Sequence, residues 1–279
     1  MAQLCLVGYT YRGYAMRYAL ERAKAWGYDG IELRNFGDID LTGPAGVAAA
    51  LARAKEMAEA FSLAIYSLFY APLPVSRAHE RADEERAFAQ VLGVLAEYQV
   101  PILHTHLSLR GPDGGEVTAA AAREEDYVAV RRTLERILPV AEAHRVRIAI
   151  ETHMGTIHDT AASQLAIVSA HDSDYLTASL DFANMLIARR EEVLTEAIRA
   201  FGSRIGYVHI KNLKLLPGGY DWNLPVRWGD INYYLLLKAL KEAGYRGPLA
   251  VEYCGTGDPD VFAADDAAYL RELMRRLEW

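Results

Sequence analysis

Eight short apolar runs, each followed by a longer segment of helical periodicity, constrain the fold of this chain more than any other feature. The runs are rich in Val, Ile, Leu and Tyr and begin near residues 4, 30, 63, 101, 147, 176, 205 and 248. In the segment 123–145, for example, apolar residues recur three or four positions apart, as they do on one face of a helix. Strands that alternate with helices form a parallel sheet covered by helices.

The number of repeats favours a closed sheet over an open one. Eight units in 279 residues average about 35 residues each, close to the roughly 30 or more of a βαβ unit. No G-x-G-x-x-G motif follows the first strand, where the sequence reads "GYTYRG", so a dinucleotide-binding fold is disfavoured. The pattern predicts an α/β protein consisting of a single (β/α)8 TIM barrel domain over residues 1–279, with its active site at the C-terminal strand ends.

Polar residues close four successive predicted strands, the fifth to the eighth. They are Glu151, Asp181, His209 and Glu252. A polar residue at a strand end is often a loop cap or an ion-pair partner, but in a barrel these four ends converge on one face. Three buried carboxylates repel one another unless a positive charge lies among them. The donor set therefore predicts a divalent metal ion, Mn²⁺ foremost, with Mg²⁺, Co²⁺ and Zn²⁺ as alternatives.

Several longer motifs carry a family resemblance that extends over essentially the whole chain. They are "GYDGIELR", "IAIETH", "LDFANM", "YVHIKN", "RWGDINY" and "ALKEAGYRGPLAVEY". With them the sequence resembles the xylose-isomerase-like TIM barrels, a group of sugar isomerases and epimerases that also includes type-IV AP endonucleases. The resemblance implies a single-metal site at Glu151, Asp181, His209 and Glu252. The ketose 3-epimerase branch further implies that Glu151 and Glu252 act as the acid/base pair on opposite sides of the sugar.

Two positions bear on which branch of the family the chain resembles. Many members have a histidine three residues after the aspartate of the sixth strand, where this chain has Asn184. The resemblance gives Asn184 a place beside the substrate, and the missing histidine removes one ligand of the endonuclease zinc site. Epimerases also supply an arginine after the seventh strand, for which Arg227 is the candidate.

Two further residues at the mouth have the inward parity of the predicted ligands. His153 lies two residues after Glu151 and could act as a neutral base or hydrogen-bond donor near pH 7, or it could satisfy backbone carbonyls in the loop. Lys211 lies two residues after His209 and could stabilise an enediolate. A salt bridge between Lys211 and a carboxylate such as Glu252 is the alternative.

Other side chains are candidates for substrate contacts. His104 and His106 lie on one face of the fourth strand, where they could bind substrate hydroxyls or could be packed core. Tyr9 and Trp228 lie in predicted loops at the mouth, where aromatic faces could stack on the C–H faces of a sugar or could simply pack.

These residues predict an isomerase or epimerase that needs a divalent metal and no other cofactor. Its substrate would be a small keto-sugar or polyhydroxy acid, whose carbonyl and adjacent hydroxyl chelate the metal. A glutamate would remove the proton from the carbon that carries this hydroxyl, and the resulting enediolate would be reprotonated. The alternative is a lyase on the same scaffold, a dehydratase, decarboxylase or 3-keto-glycoside β-eliminase, in which a leaving group departs from the same enediolate.

Net charge and hydropathy limit the classes of partner that this chain is expected to bind. The net charge of −7 argues mildly against nucleic acid as a partner, and no apolar run approaches the 18 or more residues of a membrane helix. The first residues lack the basic and apolar regions of a signal peptide. We expect a cytoplasmic protein that binds a small carbohydrate, neither nucleic acid nor membrane, and forms a homo-oligomer, a dimer or a tetramer.

Overall fold

A closed barrel of eight parallel strands forms the centre of the molecule in the computed structural model, which describes residues 2–78 and 80–279. The strands are β1 (Leu4–Val7), β2 (Gly30–Leu33), β3 (Ala64–Phe69), β4 (Ile102–Thr105), β5 (Arg147–Glu151), β6 (Leu176–Asp181), β7 (Ile205–Ile210) and β8 (Leu249–Val251). Each strand pairs with its neighbours in chain order, and β8 closes the barrel against β1. This order confirms the predicted (β/α)8 barrel.

Helices cover the outside of the barrel. They are α1 (Met16–Ala25), α2 (Gly43–Phe61), α3 (Ala82–Glu97), α4 (Glu124–His144), α5 (Ala161–Ser169), α6 (Phe182–Ala188), α7 (Leu194–Phe201), α8 (Tyr233–Glu242) and α9 (Pro259–Arg276). Two short helices, α6 and α7, follow β6. Within the described residues no helix has the length and apolar character that crossing a membrane requires.

The fourth predicted strand is divided in the structure. It leaves the barrel after Thr105, and Leu107–Ser108 pairs instead with Leu73–Pro74 in a separate two-stranded sheet. At this point the Thr105 hydroxyl donates a hydrogen bond to the carbonyl oxygen of Ala71 at 3.1 Å. As a consequence His106 is the single residue between β4 and the short strand Leu107–Ser108, at the rim of the barrel.

The inside of the barrel contains a small apolar layer directly beneath the four strand-end residues. It consists of Cys5, Val7, Ile102, Ala149, Tyr207 and Ala250. Side chains alternate with a period of two along a strand, so Ala149, Tyr207 and Ala250 face the same way as the residue two positions further on. The position above each of them is occupied by Glu151, His209 or Glu252, which the strands therefore direct into the barrel mouth.

A buried carboxylate on the outer layer predicts a pH dependence of stability. Asp266 of α9 is 2% exposed and its Oδ1 accepts a hydrogen bond from the backbone N–H of Val226 at 2.6 Å. Burial raises the pKa of Asp266 to about 7. The folded state therefore holds a proton that the unfolded state releases, and the associated stability is present below about pH 4 and lost as the pH rises through about 7.

Replacing Asp266 by Asn is accordingly expected to raise the free energy of unfolding at pH 8 by about 2–4 kcal/mol and to leave it unchanged near pH 4. An asparagine side chain can still accept from Val226 and carries no charge to bury. Urea unfolding of both proteins from pH 4 to pH 8 measures the difference. Parallel pH profiles for the two proteins would show that Asp266 is not the source of the pH dependence of stability.

Candidate active site

Four residues from neighbouring strands meet at the C-terminal face of the barrel. Glu151 and Asp181 are the last residues of β5 and β6, His209 is next to last in β7, and Glu252 directly follows β8. Asp181 and His209 are direct partners across the β6–β7 pair, and Ala250 pairs with His209 across β7–β8. Asp181 is further fixed as the N-cap of α6, where its Oδ1 accepts from the backbone N–H of Asn184 at 2.9 Å.

The imidazole of His209 lies at the centre of this group. Its Nδ1 is 3.4 Å from Glu151 Oε1, 3.7 Å from Glu252 Oε2 and 3.9 Å from Asp181 Oδ2. All four residues are buried, each with a donor atom within 4.8 Å of the others. Within the described chain this Nδ1 has no hydrogen-bond partner. Three carboxylate oxygens around one free imidazole nitrogen form a donor set that fits a divalent metal ion.

Glu32 on β2 orients the imidazole from the opposite side. Its Oε2 lies 3.3 Å from Nε2 of His209 and 3.0 Å from Nδ1 of His104, and it accepts from the Ser67 hydroxyl at 3.1 Å. In the neutral imidazole, a proton held on Nε2 by Glu32 would leave Nδ1 of His209 able to bind a metal ion, whereas without a metal ion the carboxylates favour the protonated ring. Glu32, His104 and His209 also lie close enough together to form a second group with metal-ligand donors.

Electrostatic interactions within the cluster outweigh burial for most of its members. Burial lowers the pKa of His209, but Glu151 and Glu32 raise it well above its ordinary value. Burial raises the pKa of Glu151, which His209 and His106 hold well below its usual range. For Asp181 burial dominates and the pKa is raised, although Lys211 opposes the shift. Without a metal ion, the cluster therefore relies on nearby cations to stay ionised.

Two basic side chains provide that charge. Lys211 Nζ lies 2.9 Å from Asp181 Oδ2 and 3.1 Å from Glu252 Oε2. The salt bridge to Glu252 is one of the two roles that the sequence suggested for Lys211. Arg34 Nη1 donates to Glu252 Oε1 at 2.7 Å. Despite burial, Lys211, His209 and Arg34 lower the pKa of Glu252 to about 2. Sequence reasoning missed Arg34, although its inward parity with Glu32 in "GIELR" was a signal.

The two histidines of the fourth strand segment occupy different depths. His104 is fully buried, with its Nε2 3.5 Å from Glu151 Oε2. His106 lies above it, with Nε2 2.7 Å from the same oxygen, and burial lowers its pKa to about 4. A neutral His106 near pH 7 donates one N–H to Glu151. The ring of His153 lies against that of His106, with centroids 4.1 Å apart and the planes tilted by 37°, and His153 is only partly buried.

Asn184 holds Glu151 from behind. Its Nδ2 donates to Glu151 Oε1 at 3.2 Å and to the backbone oxygen of Thr152 at 3.1 Å, and the residue is completely buried. The structure thus places Asn184 against a carboxylate of the cluster, and its contact with substrate stays a prediction.

A cavity of about 220 Å³ opens directly above the cluster. Its walls are formed by Tyr9, Arg34, Glu151, His153, Met154, Lys211, Trp222, Glu252 and Cys254. The predicted Tyr9 is among them, whereas Arg227 and Trp228 are not. Arg227 pairs with Asp265 at 2.9 Å, and Trp228 is 66% exposed. The hydrogen bond between Val226 and Asp266 holds this part of the loop against α9, which explains why the structure does not bring these two side chains to the cavity.

Comparison with known proteins identifies the family of the chain. The sequence profile of the xylose isomerase-like TIM barrel family matches residues 20–277. The chain belongs to this family. A curated relative, an uncharacterized protein of Methanocaldococcus jannaschii, is 31% identical over 124 residues, which are 43% of this chain and 41% of that protein. The match therefore spans about two fifths of the length of the relative.

Solved structures similar to this family member carry several activities. A xylose isomerase-like TIM barrel protein from Mycobacterium smegmatis in complex with magnesium has a TM-score of 0.75 at 16% identity, covering 99% of this chain and 98% of that chain. D-allulose 3-epimerase from Methylomonas sp. has a TM-score of 0.75 at 19% identity, covering 98% and 99%. Mannonate dehydratase from Streptococcus suis has a TM-score of 0.75 at 17% identity, covering 99% and 96%. At these identities the similarity shows the shared fold.

Proposed function

We propose that this protein is a divalent-metal-dependent isomerase or epimerase of a small keto-sugar or polyhydroxy acid. The observation that carries the proposal is the ring of three carboxylate oxygens around Nδ1 of His209, directly beneath a cavity large enough for a small molecule. Glu151, Asp181, His209 and Glu252 would hold the ion, and Mn²⁺ is the metal we propose. The epimerase with the same fold supports this class of reaction.

The protein residues around the ion suit proton transfer at a carbon next to a carbonyl. A bound divalent ion supplies Lewis-acid polarisation of that carbonyl. Glu151 and Glu252 both line the cavity, and we assign them the acid/base pair that removes and returns the proton. His106 donates to Glu151 and fixes its orientation, and the Lys211 ammonium offsets negative charge that develops on the substrate oxygens.

A lyase is the second candidate, and a specific feature of the mouth favours it. The imidazole of His153 contacts that of His106 and lines the same cavity as the two glutamates. A third titratable group at this place could protonate a leaving group, which an isomerase does not need. The dehydratase with the same fold agrees with this reading.

Deuterium exchange distinguishes the two reactions and tests the proposal. The Mn²⁺-loaded protein would be incubated with a panel of ketoses and keto-acids in D₂O and followed by proton NMR. An isomerase or epimerase replaces the C–H signal next to the carbonyl by deuterium and yields a stereoisomer or positional isomer. A lyase instead yields a product that has lost water or carbon dioxide. Full activity of metal-free protein would contradict both candidates.

We further propose that the protein acts in the cytoplasm as a homo-oligomer and binds neither nucleic acid nor membrane. The net charge of −7 and the acidic cluster at the mouth support a small carbohydrate over a phosphate backbone as the ligand. Sedimentation analysis measures the assembly directly, and a monomer at micromolar concentration would contradict the proposed dimer or tetramer.

A further inference from the structure

Two permanent cations, Arg34 and Lys211, line the cavity above the cluster. Lys211 is engaged with two of the carboxylates, Asp181 and Glu252. Arg34 differs, because within the described residues it donates a single hydrogen bond, from Nη1 to Glu252. A guanidinium group has five N–H donors, so most of this group remains available to a ligand.

The guanidinium of Arg34 is held in a fixed orientation by two aromatic rings. Its central carbon lies 3.8 Å from the ring centroid of Phe69 and 5.2 Å from that of Tyr9. The side chain is 13% exposed, and this small exposed part faces the cavity rather than an open surface. Nε is 3.9 Å from Glu32 Oε1, too far for a hydrogen bond.

A rigid, mostly buried guanidinium with free donors is suited to an anion. Neutral hydroxyls need no permanent charge, and donors that face a small cavity lose part of their hydration when a ligand enters. The planar fork of arginine matches the two oxygens of a carboxylate, with which it forms paired charge-assisted hydrogen bonds. Lys211 adds a second positive charge to the lining of the cavity.

We propose that the substrate carries a carboxylate that Arg34 binds, so that the substrate class is a keto-acid or polyhydroxy acid rather than a neutral sugar. This inference rests on the proposed function, since it names the substrate of the same site. Arg34 contacts Glu252, one of the four proposed ligands, so the carboxylate would lie close to the substrate oxygens that face the metal.

Calorimetric binding to Mn²⁺-loaded protein tests the inference. D-fructose would be compared with 2-keto-D-gluconate and D-fructuronate, which carry a carboxylate in place of one or the other terminal hydroxymethyl group. Glycolate and ethylene glycol form a second pair that has no stereocentre. We expect the acids to bind about tenfold to hundredfold more tightly than their neutral counterparts. We expect Arg34→Gln to remove most of that preference.

Two further variants distinguish recognition of the carboxylate by Arg34 from a general effect of removing positive charge at the mouth. Arg12 also lies at the mouth, over the Tyr9 ring, but it donates to the backbone oxygens of Tyr9, Cys254 and Gly255. Arg12→Gln removes the same charge and is expected to keep the preference for acids. Arg34→Lys keeps the charge without the fork and is expected to retain only part of it. Circular dichroism and a Mn²⁺ titration establish that each variant is folded and holds metal.

Equal losses for acid and neutral ligands in Arg34→Gln would show that Arg34 only supports Glu252 and would overturn the inference. No binding of any of the three acids by the metal-loaded wild type would overturn it as well. Binding and deuterium exchange of D-fructose without any preference for acids would leave the proposed function standing and reject the acidic substrate alone. Failure to bind Mn²⁺ would count against the proposed function itself.

Discussion

Replacing Glu151 by Gln is expected to lower kcat by about 10²–10⁴-fold, the usual contribution of a general acid or base. Glutamine keeps one oxygen that can face the metal, while its NH2 group takes the place of Oε2, which accepts from His106. Neither group can take a proton from carbon. The initial rate of deuterium exchange into substrate, measured at saturating Mn²⁺, gives the effect without requiring a product assay.

A surface glutamate provides the matched control for this variant. Glu135 is exposed on α4, on the outside of the barrel, and Glu135→Gln removes the same charge there. Its exchange rate should equal that of the wild type. If Glu151→Gln retained the full exchange rate while binding Mn²⁺ normally, Glu151 would not be the group that moves the proton.

Mn²⁺ is expected to stabilise the fold measurably. A ligand that binds only the folded state contributes about 2.7 kcal/mol at a concentration of 100 times its Kd, which corresponds to an increase in Tm of roughly 5–8 °C for a chain of this size. The physical reason is that three buried carboxylates, now balanced by Lys211, Arg34 and a protonated His209, would share a divalent ion instead. Differential scanning calorimetry with and without EDTA measures the shift.

Asp181→Asn locates this stabilisation. Asn can still cap α6, since its side-chain oxygen can accept from the backbone N–H of Asn184, but it brings no charge to the ion. We expect the metal-free variant to unfold near the wild-type temperature and the Mn²⁺-dependent increase to shrink by more than half. An undiminished increase would place the metal elsewhere on the protein.

The sequence was sufficient to predict the barrel and the placement of the cluster because both follow from periodicity. Strand period and parallel topology alone direct Glu151, Asp181 and Glu252 towards one mouth, with Ala149 and Ala250 in the layer beneath. The direction of these side chains depends on backbone geometry that every barrel shares, so it can be predicted from the local sequence pattern.

Contacts made by loop residues required the structure. Arg34 reaches Glu252 only because closure of the barrel brings the end of β2 near the end of β8, and no local pattern encodes that distance. Arg227 was expected near the substrate, yet it pairs with Asp265 on α9. The long loop after β7 has no periodicity from which its path could be inferred, and its course depends on the hydrogen bond between Val226 and Asp266.

A crystal structure of the protein grown with Mn²⁺, with anomalous diffraction recorded at the manganese absorption edge, tests the central claim most directly. We predict one strong anomalous peak per chain, within about 2.0–2.6 Å of a carboxylate oxygen of Glu151, Asp181 and Glu252 and of Nδ1 of His209. Lys211 should then have moved away from at least one of its two carboxylates. A peak at another place, or the absence of a peak at saturating Mn²⁺, would contradict the assignment of these four residues as the metal site.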